Sequence, residues 1–190
     1  CGWQWRIPLT HRNGNGIVYS SKYLSDDEAH HTLIKNLDSK PLDDPKKISF
    51  ETGRTVQQWH KNVIAIGLSS GFLEPLESTS IHLIQSAIVR LLKMFPNNGI
   101  SSSMADSYNA ESKHEFETVR DFIVLHYHVN ERNDSDFWKD MRHMQIPDRL
   151  QQKIDLFRSS AAIFNDNNDI FKDASWLQVM LGQGIHPQDH

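Results

Sequence analysis

The stretch FLEPLESTSIHLI at residues 72–84 sets a carboxylate and three consecutive hydroxyl residues directly ahead of an apolar helical repeat. The first amides of a helix have no intrahelical partner and carry partial positive charge, so a helix end of this kind attracts an anion. Ser78 or Ser80 is the expected cap, which leaves Glu77 at or just before the helix mouth. Pro75, followed by Leu76, stiffens the approach. Gly67 and Gly71 bracket the preceding loop, and Gly71 permits an unusual backbone angle. Two readings stand at this point. In one, the helix is simply well capped and Glu77 complements its dipole. In the other, the amides of Thr79 and Ser80 form a small-anion site, with Glu77 beside them as a catalytic carboxylate.

The elements that must position this end follow from periodicity. WQWRI alternates, which puts Trp3, Trp5 and Ile7 on one face of a strand. HRNGNG at 11–16 reads as the turn and IVYSS as the returning arm of a hairpin. SDDE at 25–28 has capping-box spacing and predicts a helix to about Leu37. DSKPLDDPKK reads as loop, and ISFETG and NVIAIG as short strands separated by a polar segment carrying Trp59. Ile81, Ile84, Ile88, Leu91, Leu92 and Phe95 recur at helical spacing until Pro96. Phe116, Val119, Ile123, His126 and Tyr127 form a second stripe, and shorter helices are predicted at 136–144, 148–160 and 174–181. Strands first and helices after make the fold class α+β.

Composition removes several functions. A net charge of −4 with scattered Lys and Arg provides no basic stripe for nucleic acid. No run approaches the ~18 apolar residues of a membrane span. The single Cys1 excludes an intrachain disulfide framework and fits a reducing, cytoplasmic compartment. Among 11 histidines chance pairs are expected, His126 and His128 face different directions on a helix, and no metal site is predicted. The opening CGWQW reads as mid-strand, so a segment of a longer protein is expected.

GFLEPLESTSIHLI resembles the segment of flavin-dependent tryptophan halogenases that carries their catalytic glutamate and halide site. GWQWRIP is similar to that family's Trp-x-Trp-x-Ile-Pro signature, NVIAIGLSSG lies between the two, and the likeness continues through RDFIVLHYHVNERNDSDFW. The resemblance implies FAD as FADH2, O2, chloride or bromide, a separate flavin reductase and an aromatic small-molecule substrate attacked by hypohalous acid. It implies that Glu77 positions the oxidant and takes up the ring proton, and that Ser78 links that site to the flavin side. The Thr79 and Ser80 amides would hold halide, although many members have Gly where Ser80 stands. Gly67, Gly71, Pro75 and Leu76 would lie against cofactor, and Trp3 and Trp5 would line the wall between flavin and substrate. The plain alternative for the Trp pair is two core aromatics. Residues 1–80 would be the end of a flavin-monooxygenase-like core and 81–190 a mainly helical substrate-binding region. The family's Gly-rich dinucleotide turn and catalytic lysine are absent from the chain, so the segment alone is expected to be inactive, with exposed apolar surface that favours a homodimer.

On the substrate side, the resemblance assigns His126, Tyr127, Asn133, Phe137 and Trp138 to binding. His126 replaces the first of a Tyr pair, with a core histidine as the alternative. Asn133 stands where a Glu would meet the ammonium of tryptophan. Loss of that charge removes a hydrogen bond worth ~1.5–3 kcal/mol, which points to an indole or other electron-rich arene without a zwitterion, or to tryptophan within a larger molecule. A flavin-dependent aromatic monooxygenase and a non-enzymatic helical binding module are the competing functions. The first needs no halide site, and the second predicts that this segment behaves normally on its own.

Overall fold

A computed structural model describes residues 1–166 and 169–188. The chain divides into two compact units, Cys1–Ser49 with Asn130–Met144, and Phe50–Val129 with Gln145–His190.

In the first unit, β1 (Gly2–Pro8) and β2 (Asn13–Tyr19) form an antiparallel hairpin in which Trp3 faces Val18 and Trp5 faces Gly16. The turn is tighter than the sequence suggested. Leu9 N–H donates to Arg12 O at 2.8 Å, and both Asn-Gly pairs belong to β2 rather than to the turn. Trp5 is the reason, because its indole lies across the bare backbone of β2. A Cβ added to Gly16 would stand 2.3 Å from that ring. The capping box then starts α1 (Asp26–Lys35): Ser25 N–H donates to Glu28 Oε2 at 3.0 Å while Ser25 Oγ accepts from Glu28 N–H at 3.3 Å. Asn36 closes the element back onto Gln4 of β1 at 3.0 Å. The returning segment contributes α4 (Asp136–His143), whose Phe137 and Trp138 are buried and whose Asp140 accepts from the Tyr23 hydroxyl.

In the second unit the predicted strands shrink to two-residue pairings. β3 (Gly53–Arg54) pairs with β6 (Gly71–Phe72), and β4 (Trp59–His60) with β5 (Val63–Ile64). Most of ISFETG therefore lies outside any strand, because among the described residues no ladder continues beyond Gly53 and Ile48 is left exposed. Trp59 is fully buried instead of lying in a polar connection. Its strand is clamped to the helix behind it by Asn109, which accepts from the Gln58 and Trp59 amides at 2.8 Å each and donates to Trp59 O at 2.9 Å.

Helices make up the rest. α2 (Ser80–Lys93) buries Leu83 and Ala87 and leaves Ile81, Leu92 and the following Phe95 exposed. α3 (Ser102–His128) is the central rod, capped by Ser101 and burying Tyr108, Phe116, Val119, Phe122 and Leu125. α5 (Asp148–Ser160) and α6 (Asp173–Gly182) complete the core with Leu150, Ile154, Phe157, Trp176 and Met180. No helix of the described residues is long and apolar enough to cross a membrane.

Candidate active site

Pro75 pre-sets the backbone for a 3-10 turn, Pro75–Glu77, that delivers Glu77 to the start of α2. Ser78 then takes a left-handed conformation (φ 54°, ψ 34°), its N–H donating to Pro75 O at 3.0 Å. The cap of α2 is Thr79 rather than Ser78 or Ser80, and its side chain makes no capping bond. Thr79 already has helical angles (φ −82°, ψ −7°) and is buried, so its hydroxyl does not take the usual capping geometry. The first ladder bond runs from Leu83 N–H to Thr79 O at 2.9 Å. The amides of Thr79, Ser80, Ile81 and His82 thus precede the ladder.

Two consecutive residues of α3 meet this segment. His126 Nε2 lies 3.0 Å from Glu77 Oε1, and the Tyr127 hydroxyl donates to Glu74 Oε2 at 2.9 Å. The second imidazole nitrogen of His126 is 2.8 Å from Phe122 O, and the Phe122 ring stands edge-on to the imidazole at 4.9 Å. Burial favours the neutral imidazole. The Glu77 hydrogen bond, the Phe122 carbonyl and the charges of Glu77 and Glu74 outweigh it, and hold the His126 pKa above its ordinary value. Glu77 and His126 are only about a quarter exposed (27% and 21% of their side chains), so the pair is shielded but reachable.

The Glu77 carboxylate thus stands just ahead of helix amides that no side chain caps. The tryptophan halogenase family model matches residues 1–190. The chain belongs to the tryptophan halogenase family.

Its curated relatives include the tryptophan 7-halogenase RebH of Lentzea aerocolonigenes, 37% identical over 85% of this chain and 31% of that protein. The 7-chloro-L-tryptophan 6-halogenase KtzR of Kutzneria sp. is 40% identical over 83% of this chain and 31% of that protein. Among solved structures, the flavin-dependent halogenase BrvH from Brevundimonas sp. BAL3 is 49% identical with a TM-score of 0.96, covering 100% of this chain and 38% of that one. A flavin-dependent halogenase from Xanthomonas campestris matches with the same values: 49% identity, TM-score 0.96, and coverage of 100% and 38%. The chain thus spans about a third of the length of the curated relatives it matches, 31% of RebH for example.

The other sequence-derived residues are placed as follows. Gly67 (φ 70°) needs its left-handed turn. A Cβ on Gly71 (φ 158°) would meet Gly53 O at 2.6 Å and the Phe116 ring at 2.9 Å, so both glycines have reasons inside their own unit. In the other unit, Asn133 Oδ1 accepts from Arg142 Nη1 at 2.9 Å, and Arg132 lies over the Trp138 ring at 4.6 Å. Asn133 and Phe137 line a recess of about 450 Å³ together with Cys1, Tyr23 and Lys139. Trp3 and Trp5 are half-buried on the hairpin.

Sequence reasoning missed two things. It did not pair Glu74 with Tyr127 or Glu77 with His126, although the i, i+3 spacing of the two acids on a Pro-led turn was the available signal. It also did not foresee the cluster in which His114 Nε2 lies 3.0 Å from Asp166 and 3.2 Å from Asp169. Arg149 Nη1 stands 3.3 Å from the other nitrogen of His114, and Arg149 Nη2 lies 4.0 Å from Asp169.

Proposed function

We propose that this chain carries the glutamate and halide site of a flavin-dependent halogenase that chlorinates or brominates an electron-rich, indole-like arene. The observation that carries the reading is the position of Glu77, one turn ahead of an α2 end whose cap makes no side-chain bond and held there by His126. Peptide N–H groups offer partial rather than full charge, which suits a halide that must be bound and then given up. The Thr79 and Ser80 amides are the proposed donors, and the donor set fits a halide. Reduced flavin and O2, with a separate flavin reductase, would supply the oxidising equivalent that turns halide into hypohalous acid.

Glu77 orients that electrophile and takes the proton from the substituted ring carbon, and Ser78 links that site to the flavin side. Gly67, Gly71, Pro75 and Leu76 are the proposed approach to cofactor, and Trp3 and Trp5 the proposed wall. Residues 1–80 and 81–190 are the proposed core and substrate-binding parts. On the substrate side, Asn133 is neutral and its amide oxygen already accepts from Arg142. It offers no anion to an ammonium, which supports an arene without a zwitterion. The protein is read as cytoplasmic.

The test is the full-length protein supplied with reductase, flavin, O2, bromide and indole, with bromoindole read by mass spectrometry. Glu77→Gln is expected to lower turnover by 100-fold or more. Full activity in that variant rejects the assignment.

A further inference from the structure

Each imidazole nitrogen of His126 faces one polar atom, Phe122 O and Glu77 Oε1, and their chemistry fixes its proton count. The Phe122 carbonyl can only accept, so the Nδ1 facing it at 2.8 Å carries a hydrogen. The Nε2 facing Glu77 at 3.0 Å then shares one proton with the carboxylate. The pair is either imidazolium with carboxylate or imidazole with carboxylic acid, and in both cases it holds one transferable proton. The charged groups facing it are Glu77 and Glu74, both from the Pro75 turn. The Phe122 ring also stands edge-on to the imidazole at 4.9 Å and is itself backed by Phe171 and Trp176 at 3.9 and 4.9 Å.

We infer that His126 is a positioning residue that stores one proton for Glu77, so that the pair acts first as acid and then as base within a single halogenation. This rests on the reading of Glu77 as the carboxylate at the electrophile. Hypohalous acid and arene react with balanced protons. As the ring carbon attacks halogen, the carbon–halogen bond forms and the oxygen–halogen bond breaks. The departing hydroxide takes the shared proton from the pair and leaves as water. The ring cation then loses its proton to Glu77 and regains aromaticity, and that proton returns to the position between Glu77 and Nε2. No proton is exchanged with solvent over the cycle, which suits a pair that is largely shielded. A lone carboxylate has no proton to donate in the first half; the imidazolium provides it. The Phe122 carbonyl keeps the ring in the one orientation that presents Nε2 to the acid.

The experiment uses the full-length protein with reductase, flavin, bromide and indole, comparing wild type, His126→Gln and Glu77→Gln. His126→Gln is expected to lower kcat at least tenfold, with KM for indole within about twofold, and to remove the alkaline limb of the kcat–pH profile. An inactive Glu77→Gln beside a His126→Gln with wild-type kcat and pH profile overturns the inference and leaves the Glu77 reading standing. An active Glu77→Gln overturns both. If His126→Gln does not fold, ¹⁵N NMR of the wild-type imidazole decides. A protonated Nδ1 and an Nε2 that titrates above free histidine support the relay, and an Nε2 hydrogen lost at or below the pH of free histidine overturns it.

Discussion

The Tyr127 hydroxyl donates to Glu74 at 2.9 Å, one residue along α3 from the imidazole that meets Glu77. Adjacent side chains on a helix normally diverge. These two converge on one segment because Glu74 and Glu77 flank a single 3-10 turn. Tyr127→Phe removes the donor and leaves the ring. It is expected to lower stability by about 1.5–3 kcal/mol in urea unfolding, the scale of a hydrogen bond to a charged group. An unchanged unfolding midpoint would show that the bond contributes nothing.

Stability is expected to depend on pH through His126. Its pKa is raised in the folded chain: burial opposes protonation, but Glu77, the Phe122 carbonyl and Glu74 prevail. A group that holds its proton more tightly when folded contributes full stability below its unfolded pKa of about 6.5. That contribution fades as pH rises through the higher folded value. The urea midpoint should therefore fall from pH 6 to pH 9 in wild type, and fall less in His126→Gln. Equal slopes in the two proteins would remove His126 from the account.

Arg90 of α2 is a buried cation between two acids of α3, with Nη2 2.7 Å from Glu115 and Nε 3.3 Å from Glu111. Removing one partner of such a pair strands the other. Arg90→Met is expected to cost about 2–3 kcal/mol, less than a fully buried pair because Glu111 reaches solvent. The double variant Arg90→Met with Glu115→Leu should recover most of that loss. Failure to recover would mean that Arg90 acts through its packing on Tyr108, whose ring it covers at 5.4 Å.

The hairpin offers a test in the first unit. Gly16→Ala pushes a methyl into the Trp5 indole and is expected to cost about 1–3 kcal/mol, with a shift in tryptophan fluorescence. In a Trp5→Ala background the same change should be nearly neutral. Equal costs in both backgrounds would refute the close approach.

Much of the architecture was legible because it rests on local signals. SDDE announced α1 through its own side chains, Pro96 marked the end of α2, and the three short C-terminal helices fell within about two residues of their expected limits. The first half of α3 was not legible. SSMADSYNAESKHE is polar on most faces, and its helicity comes from a Ser101 cap and from packing by Tyr108 and Ser112. The turn position of NGNG was misread because its glycines answer to an indole across the ladder, which turn propensity does not encode. Glu77, Thr79 and Ser80 stood out by type and spacing, which left a plain capped helix and an anion site both open, and only the family resemblance gave them catalytic and halide roles. The partners of Glu77 and Glu74 lie about 50 residues away, and only the folded chain brings them together.

Ser78 shows how little chain separates the acid from the amides. Its left-handed backbone works as a crank joining two short arms, with Glu77 on one and the first peptide planes of α2 on the other. Glycine there would keep the angle and loosen the joint, whereas valine would force the arms apart. The spacing between carboxylate and helix mouth is thus set by the backbone of one residue, and a substitution that leaves Glu77 and Thr79 themselves unchanged can still alter it.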